Sequence, residues 1–399
     1  MRDNADACPS VHARIISFGG KTSGGEEAMM ERFQDSTGMV RSRTAPTVLI
    51  LSSTFGMGHM SCARALREMI LQDEPTANVV VMDFMHEFMP EFSSYVYRTF
   101  NHLVSRRQRL YNRLNLMAGH LNMAPCKNMV VHRLKRTLRD IEPDLVISST
   151  PLCAHYVSAA KRHASVSDLP LFIYVTDVTF HREWMAKRAD LYFVGDESTK
   201  RQIEACGVDA SDIHVCGVPV SSDFTLSVGL PDVRRKVLVM GGGLGLLQGC
   251  EVLLDALEAS DCEAVLVCGT NHEMEQWARK RYRNIQVLGF THDIPRLMAQ
   301  SKLVVTKPGG ITVFEAIKSC TPICALDPKL EQEMGNARFI RERGIGTVVH
   351  DLRGFSHYEF MALVHNESLL AQMRERMFML GESFEEANPL SYLDGSRAV

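Results

Sequence analysis

Two stretches of this chain run apolar without interruption and then break into glycine. Val48-Leu49-Ile50-Leu51 leads into Ser52-Ser53-Thr54-Phe55-Gly56-Met57-Gly58-His59, and Val237-Leu238-Val239-Met240 leads into Gly241-Gly242-Gly243-Leu244-Gly245. A strand with no polar alternation has to be covered on both faces, which is the condition of a parallel sheet between helix layers. Glycines just past its end let the backbone turn sharply into a helix. Each stretch therefore opens a strand-helix-strand unit. After the first, a helical pattern runs to about Ile70 and a strand follows at 79–82, with further apolar runs at 145–148, 171–176, 191–194 and 213–215. After the second, runs fall at 264–268, 285–288, 303–306 and 322–326. The alternation predicts an α/β chain with two Rossmann-like domains, whose ligands lie in a cleft outside the carboxyl ends of the strands.

A chain of 399 residues exceeds what one core usually sustains. The mixed Ser, Gly, Pro and charged stretch at 220–235 is the natural boundary. The expected organisation is an N-terminal extension at 1–45, partly disordered, with a short apolar piece at 13–18 and a Gly/Ser/Glu-rich run at 19–27. A first Rossmann-like domain spans 46–225 and a second 226–399.

The formal net charge of -3 gives no electrostatic reason to expect nucleic acid as a partner. Eleven cysteines without a close Cys-x-x-Cys pair read as reduced, mostly buried thiols, so neither disulfides nor zinc are expected. No apolar run reaches the roughly 18 to 20 residues that cross a bilayer, and Met1 to Asn4 leads into polar sequence rather than a signal core. The expectation is a cytoplasmic protein, with any membrane contact peripheral at the inner face. Residues 98–139 interleave Arg98, Arg106, Arg107, Arg109, Arg113, Lys127, Arg133, Lys135, Arg136 and Arg139 with apolar side chains. That composition suits amphipathic helices on an anionic membrane surface, and equally the solvated face of helices packed on a sheet.

Several residues stand where chemistry could occur. His59 follows the glycine turn at a helix start, where the dipole opposes protonation and favours a neutral imidazole able to take a proton. Gly56, Gly58 and Ser61, with Asp83 ending the next strand, partly imitate a dinucleotide fingerprint, which would put pyrophosphate on the turn and ribose on the acid of an NAD-dependent oxidoreductase. Gly241 to Gly245 lacks the Gly-Lys-Ser/Thr ending of a P-loop, yet its amides suit a phosphate. Lys307-Pro308-Gly309-Gly310-Ile311-Thr312-Val313-Phe314-Glu315 again passes from strand to helix. There Glu315 either completes a capping box with Thr312 or holds a ribose diol. Asp177, His181 and Trp184 follow a strand end without a third ligand at metal spacing, and read as cleft residues that bind an acceptor or order a loop.

Taken in order, Phe55-Gly56-Met57-Gly58-His59, Thr176-Asp177 with His181 and Trp184, Gly217-Val218-Pro219-Val220, Lys307-Pro308-Gly309-Gly310 and Gln332-Glu333-Met334-Gly335-Asn336 resemble glycosyltransferase family 28. The likeness is to its monogalactosyldiacylglycerol synthases and processive diacylglycerol glucosyltransferases, and covers residues 47–349. It implies a GT-B fold, with two Rossmann-like domains facing across a cleft, the one at 46–225 binding the acceptor and the one at 226–399 the donor, the last helix returning to the first, and inversion at the sugar carbon. It implies a nucleotide sugar, usually UDP-linked, as donor, a lipid or small-molecule acceptor, and no metal or other cofactor. It further implies diphosphate contacts at Gly241, Gly242, Gly243, Gly245, Gly309, Gly310, Ile311 and Thr312, ribose on Glu315, the base beside the Phe290 backbone, and sugar contacts at Gln332 and Asn336. On the acceptor side it implies Phe55, Gly56, Gly58, Asp177, His181 and Trp184, with His59 as the catalytic base.

The sequence departs from that pattern at Met57, where glycine is commoner, at Glu331, and at 241–249, which lacks the usual Gly-Met-Gly-Pro ending. A twin-domain nucleotide-sugar or lipid-binding protein without turnover is the alternative from a different class.

Overall fold

The computed structural model describes residues 32–34, 40–42, 45–108, 110–112, 127–225, 234–247, 249–326, 328–351, 355–385 and 388–393. The apolar piece at 13–18, the run at 19–27, and the centre of the expected linker at 226–233 lie outside them. In a unit of its own, β1 (Arg32–Gln34) pairs antiparallel with β2 (Val40–Ser42). Residues 45–399 form the other.

This larger unit holds two six-stranded, fully parallel sheets. The first contains β3 (Thr47–Ser52), β4 (Asn78–Asp83), β5 (Leu145–Ser148), β6 (Leu171–Tyr174), β7 (Leu191–Val194) and β8 (Ile213–Val215), in the order β4-β3-β5-β6-β7-β8. The second contains β9 (Lys236–Met240), β10 (Ala264–Val267), β11 (Ile285–Leu288), β12 (Ser301–Thr306), β13 (Ile323–Leu326) and β14 (Gly346–Val349), in the order β11-β10-β9-β12-β13-β14. Helices cover the sheets, and the fold is the GT-B pair of Rossmann-like halves that the motifs imply. The central apolar runs are strands because their side chains are buried on both faces, Val48 to Leu51 and Val237 to Val239 being wholly inaccessible, whereas the edge strands β4, β8 and β11 are only partly buried. β14 escapes the pattern, since Gly-Thr-Val-Val is short, opens on glycine and sits half-buried at the sheet edge. β6 ends two residues earlier than its apolar run; the Val175 amide still donates to the Phe193 carbonyl of β7 at 2.9 Å, and Thr176 and Asp177 then leave the ladder toward the other half.

Helices α1 (Gly58–Asp73), α2 (Phe84–Phe88), α3 (Pro90–Arg106), α4 (Lys127–Ile141), α5 (Pro151–Ala160) and α6 (Glu197–Glu204) belong to the first half. Helices α7 (Glu251–Glu258), α8 (His272–Arg281), α9 (Ile294–Ala299), α10 (Gly310–Lys318), α11 (Glu331–Arg343), α12 (His357–His365) and α13 (Glu367–Glu382) belong to the second. One apolar core runs through both halves, joining Ile50 and Leu66 of the first to Val304 and Phe314 of the second. Beyond α13 the chain crosses back to the first half. Phe384 packs on Gly217, Asn388 Nδ2 donates to Asp73 Oδ2 at 3.2 Å, and Tyr392 meets Phe193 and His214 at ring distances of 5.2 and 4.3 Å.

Strand order reverses between β3 and β5 in one sheet and between β9 and β12 in the other. Loops that leave the two strands at such a point diverge to opposite faces, and the gap between them is where α/β sheets take ligands. Register sets Leu51 beside Ser148 and Met240 beside Thr306, so each gap is flanked by a glycine turn and a second strand-to-helix loop.

Candidate active site

The two gaps open into one cleft of about 540 Å³, within the range of small-molecule sites. On the first half, Gly56 supplies a positive φ of 70° at the turn, and α1 starts at Gly58 with no side chain capping it. His59 therefore stands in the first turn, half-buried in the cleft wall. Ser149, from the loop after β5, donates through Oγ to Ser52 Oγ at 2.9 Å and to the His59 carbonyl at 3.3 Å, which ties the two switch-point loops together. His59 Nδ1 lies 2.9 Å from Thr176 Oγ1. Burial holds the imidazole below its ordinary pKa, against the opposing pull of the Asp177 carboxylate and a backbone hydrogen bond at Ser149.

Asp83 is spent inside this half. Its carboxylate accepts from Tyr97 Oη at 2.6 Å, from the His86 amide at 3.0 Å and from the Thr54 amide at 3.1 Å, and it also takes the Thr54 hydroxyl. An acid with those four donors holds the glycine turn and has no place in the cleft lining, so the ribose role of the oxidoreductase alternative falls away. Tyr97 and Phe100 of α3 meet the Phe55 ring edge-on at 5.1 and 5.0 Å, and Phe55, Phe100 and Val104 make an apolar wall of the cleft.

On the second half, the Gly241–Gly245 turn folds so tightly that a Cβ on Gly245, at φ 61°, would stand 1.9 Å from the Cys268 carbonyl oxygen. Gly243 faces Met57 across the cleft, where a Cβ would come within 2.1 Å of Met57 Cγ. The residue that departs from the family pattern thus fills space between the two glycine loops. Helix α10 begins at Gly310 with Gly309 as an N-cap that offers no side chain, leaving first-turn amides directed at the cleft. The capping box expected of Thr312 and Glu315 does not form, because the helix starts two residues before Thr312. Glu315 lines the cleft with no hydrogen-bond partner among the described residues, and burial alone pushes its carboxyl up to about 7. Phe290, 49% exposed, lies near His292 at the far end of the same cleft.

Of the expected site residues, Phe55, Gly56, Gly58, His59, Asp177, Gly241, Gly242, Gly243, Phe290, Gly309, Gly310, Ile311, Thr312, Glu315 and Gln332 line this one cleft. Four do not. Gly245 shapes its turn from behind. Trp184 is 2% exposed in the core behind the first sheet, packed where an acceptor cannot reach. His181 stands outside the lining with a buried, unpartnered Nε2. Asn336 is wholly buried, and its amide is consumed by Asp177, Pro308 and Val178, so it does not face a sugar. Sequence reasoning missed Thr176 and Ser149 as partners of His59, Lys307 in the lining, and Tyr111, whose hydroxyl hydrogen-bonds Gln332 from the other half. Thr176 adjoins Asp177 and Lys307 opens Lys307-Pro308-Gly309-Gly310, so both stand inside motifs that carry site residues. Among the described residues, three side chains of metal-ligand type converge only at Asp261, Cys262 and His365, not at Asp177 or His181.

Comparison with known proteins agrees with this geometry. Residues 59–220 match the family model described as monogalactosyldiacylglycerol (MGDG) synthase. The processive diacylglycerol beta-glucosyltransferase of Staphylococcus carnosus (strain TM300) is 29% identical over 353 residues, 83% of this chain and 88% of that protein. Its counterpart in Bacillus cereus (strain G9842) is 28% identical over 352 residues, 83% of this chain and 89% of the other. The fold is shared with the crystal structure of Acinetobacter baumannii MurG, at a TM-score of 0.58 and 15% identity over 89% of this chain and all of that one. It is also shared with Anabaena Alr3699/HepE in complex with UDP, at a TM-score of 0.51 and 16% identity over 88% and 98% of the two chains. With the ordered motifs, the paired sheets and relatives matching along most of its length, the chain is a glycosyltransferase similar to those of family 28, the family of the monogalactosyldiacylglycerol synthases and processive diacylglycerol glucosyltransferases.

Proposed function

We propose that this chain transfers a hexosyl group from a UDP-sugar to a hydroxyl of a diacylglycerol-type lipid, with inversion at the anomeric carbon. The observation that carries the donor side is Glu315: a half-buried carboxyl that faces the cleft without a protein partner is costly to ionise unless a ligand supplies donors, and a ribose diol supplies two. The first-turn amides of α10 and the Gly241–Gly243 turn suit the diphosphate, and Gln332 suits a sugar hydroxyl. In the reaction, the acceptor oxygen bonds to the anomeric carbon as the carbon–oxygen bond to the diphosphate breaks. The electron pair leaves with UDP, and the hydroxyl proton passes to His59. Amides aimed at the departing phosphate stabilise the charge that develops there. A lowered imidazole pKa keeps His59 in its proton-accepting form at neutral pH.

The acceptor reading draws on the relatives, which are diacylglycerol glucosyltransferases by name, and on the apolar wall of Phe55, Phe100 and Val104. Among the described residues no helix is long and apolar enough to cross a membrane. Our reading has the lipid reached peripherally, from the cytoplasmic side. Helix α4 contributes little apolar surface to such contact, because Val130, Val131, Leu134 and Leu138 are buried and Arg133 pairs with Glu91 at 2.9 Å. Helix α3 instead presents Phe92 and Tyr95, 49% and 74% exposed. Arg109 and residues 113–126 of the basic stretch lie outside the described ones.

The test is a donor-by-acceptor transfer screen with the intact protein, followed by NMR of the product anomer. Transfer from a UDP-sugar to diacylglycerol with inversion is expected. Tight UDP-sugar binding without transfer to any hydroxyl would leave the non-catalytic binding protein as the better reading.

A further inference from the structure

Asn336 sits on α11 with no accessible surface, and all of its amide groups reach outward to other segments. Nδ2 donates to Asp177 Oδ1 at 3.1 Å and to the Pro308 carbonyl at 2.9 Å, while Oδ1 accepts the Val178 amide at 3.2 Å. Pro308 belongs to the loop that opens α10 on the second half. Asp177 and Val178 directly follow Thr176, the partner of the His59 ring on the first. One side chain therefore spans the phosphate-facing loop and the segment that holds the imidazole. The two segments also touch directly: a Cβ on Gly310 would stand 2.0 Å from the Thr176 carbonyl oxygen and 2.8 Å from Asp177 Oδ1. Glycine at the first position of α10 lets segment 176–177 lie flat against the helix start.

We propose that Asn336 is a positioning residue through which the donor half sets the base in the acceptor half, by pinning the Asp177 carboxylate beside the Thr176–His59 pair. This rests on the reading of His59 as the base. A carboxylate in this cleft keeps its place only while a donor holds it. Remove the Asn336 amide and Asp177 turns toward whatever donor or water it can find. The cleft around His59 also holds Arg64 and Glu68 of α1 and, across it, Lys307, Glu315 and Glu333, with Tyr111 facing Asp177. Of these charges it is Asp177 whose field reaches the imidazole, raising its proton affinity against the effect of burial. The orientation of Asp177 is thereby legible in the pH dependence of the base.

The experiment measures kcat against pH at saturating donor and acceptor, and UDP affinity by calorimetry, for the wild type, Asn336→Ala, Asp177→Asn, the double variant and His59→Ala. Asp177→Asn keeps an oxygen for the Asn336 amide but removes the charge, so it isolates the field from the contact. Asn336→Ala is expected to keep UDP affinity within about twofold, to lower kcat about tenfold, and to move the acid limb to lower pH by about half a unit or more. Asp177→Asn should move the limb the same way. The double variant should be no worse than Asp177→Asn alone, since both act through one carboxylate. A role confined to fastening the halves predicts lost thermal stability with the limb in place, and that result would overturn the proposal, as would additive losses in the double variant. Should Asn336→Ala not fold, an unmoved limb in Asp177→Asn overturns it alone. Near-normal turnover in His59→Ala would remove the base and the coupling together, whereas a large loss there with both limbs unmoved would remove only the coupling.

Discussion

Thr176 Oγ1 and His59 Nδ1 lie 2.9 Å apart although 117 residues separate them in the chain. They meet because β3 and β6 flank β5 in one sheet, and because the chain leaves β6 two residues before its apolar run is exhausted. The contact orients the imidazole from a strand end rather than from its own helix. That arrangement makes the ring a fixed part of the cleft wall before any acceptor arrives.

His59→Ala should fold and bind UDP normally while transfer falls by roughly 100-fold or more, the scale of lost acid-base assistance. The sign of the pH dependence follows from the lowered imidazole pKa: the active neutral form persists below the ordinary range, so the wild-type acid limb of kcat should lie under about 6.5. His59→Asn keeps a polar side chain at the turn but should lose that limb. Near-normal kcat in both variants, with only the acceptor KM raised, would move His59 from catalysis to binding.

Glu315 makes UDP affinity a pH-dependent quantity. Its free carboxyl titrates at about 7 because burial penalises the charge, while the ionised form is the one that accepts hydrogen bonds from a ribose diol. Binding should therefore tighten as pH rises, by about tenfold between pH 6 and pH 8. A UDP phosphate also titrates near this range, so the comparison is with Glu315→Gln, in which only the phosphate contribution survives. Glu315→Ala should weaken UDP at pH 8 by at least about tenfold, or about 1.4 kcal/mol. Equal affinity and equal pH slopes in wild type and variants would dismiss the ribose role.

Contact with a membrane should run through α3. In flotation assays the protein is expected to bind anionic vesicles in preference to neutral ones, and less as salt rises, since Arg98 and Arg107 are exposed on and just past that helix. Replacing both Phe92 and Tyr95 with serine should reduce binding at every salt concentration without touching UDP affinity. Absence of binding to either vesicle would point to a soluble acceptor.

The sequence by itself determined the strands, the turns that follow them and the motifs that carry the family resemblance, because each of these is local. An uninterrupted run such as Val237 to Met240 is stable only as a strand buried on both faces, and glycines beyond it permit one kind of exit. Eleven of the twelve strands of the two large sheets start and stop within two residues of their apolar runs for that reason, and β14 was invisible because Gly-Thr-Val-Val at a sheet edge is neither long nor uniformly buried. What only the tertiary structure decided was which polar group meets which. Asp83 and Asp177 both follow a strand end, yet Asp83 is consumed by Tyr97 and Thr54 while Asp177 reaches across to Asn336. Trp184 and His181 stand three residues apart, and one is swallowed by the core while the other keeps an unpaired nitrogen. Glu315 satisfies the spacing of a helix cap, but the cap never forms because the helix begins earlier, at Gly310. Partner choice for a buried polar group depends on donors brought close by folding from distant parts of the chain. Local pattern places such a group in the cleft's neighbourhood, and the packing of the two halves decides whether it faces ligand or protein.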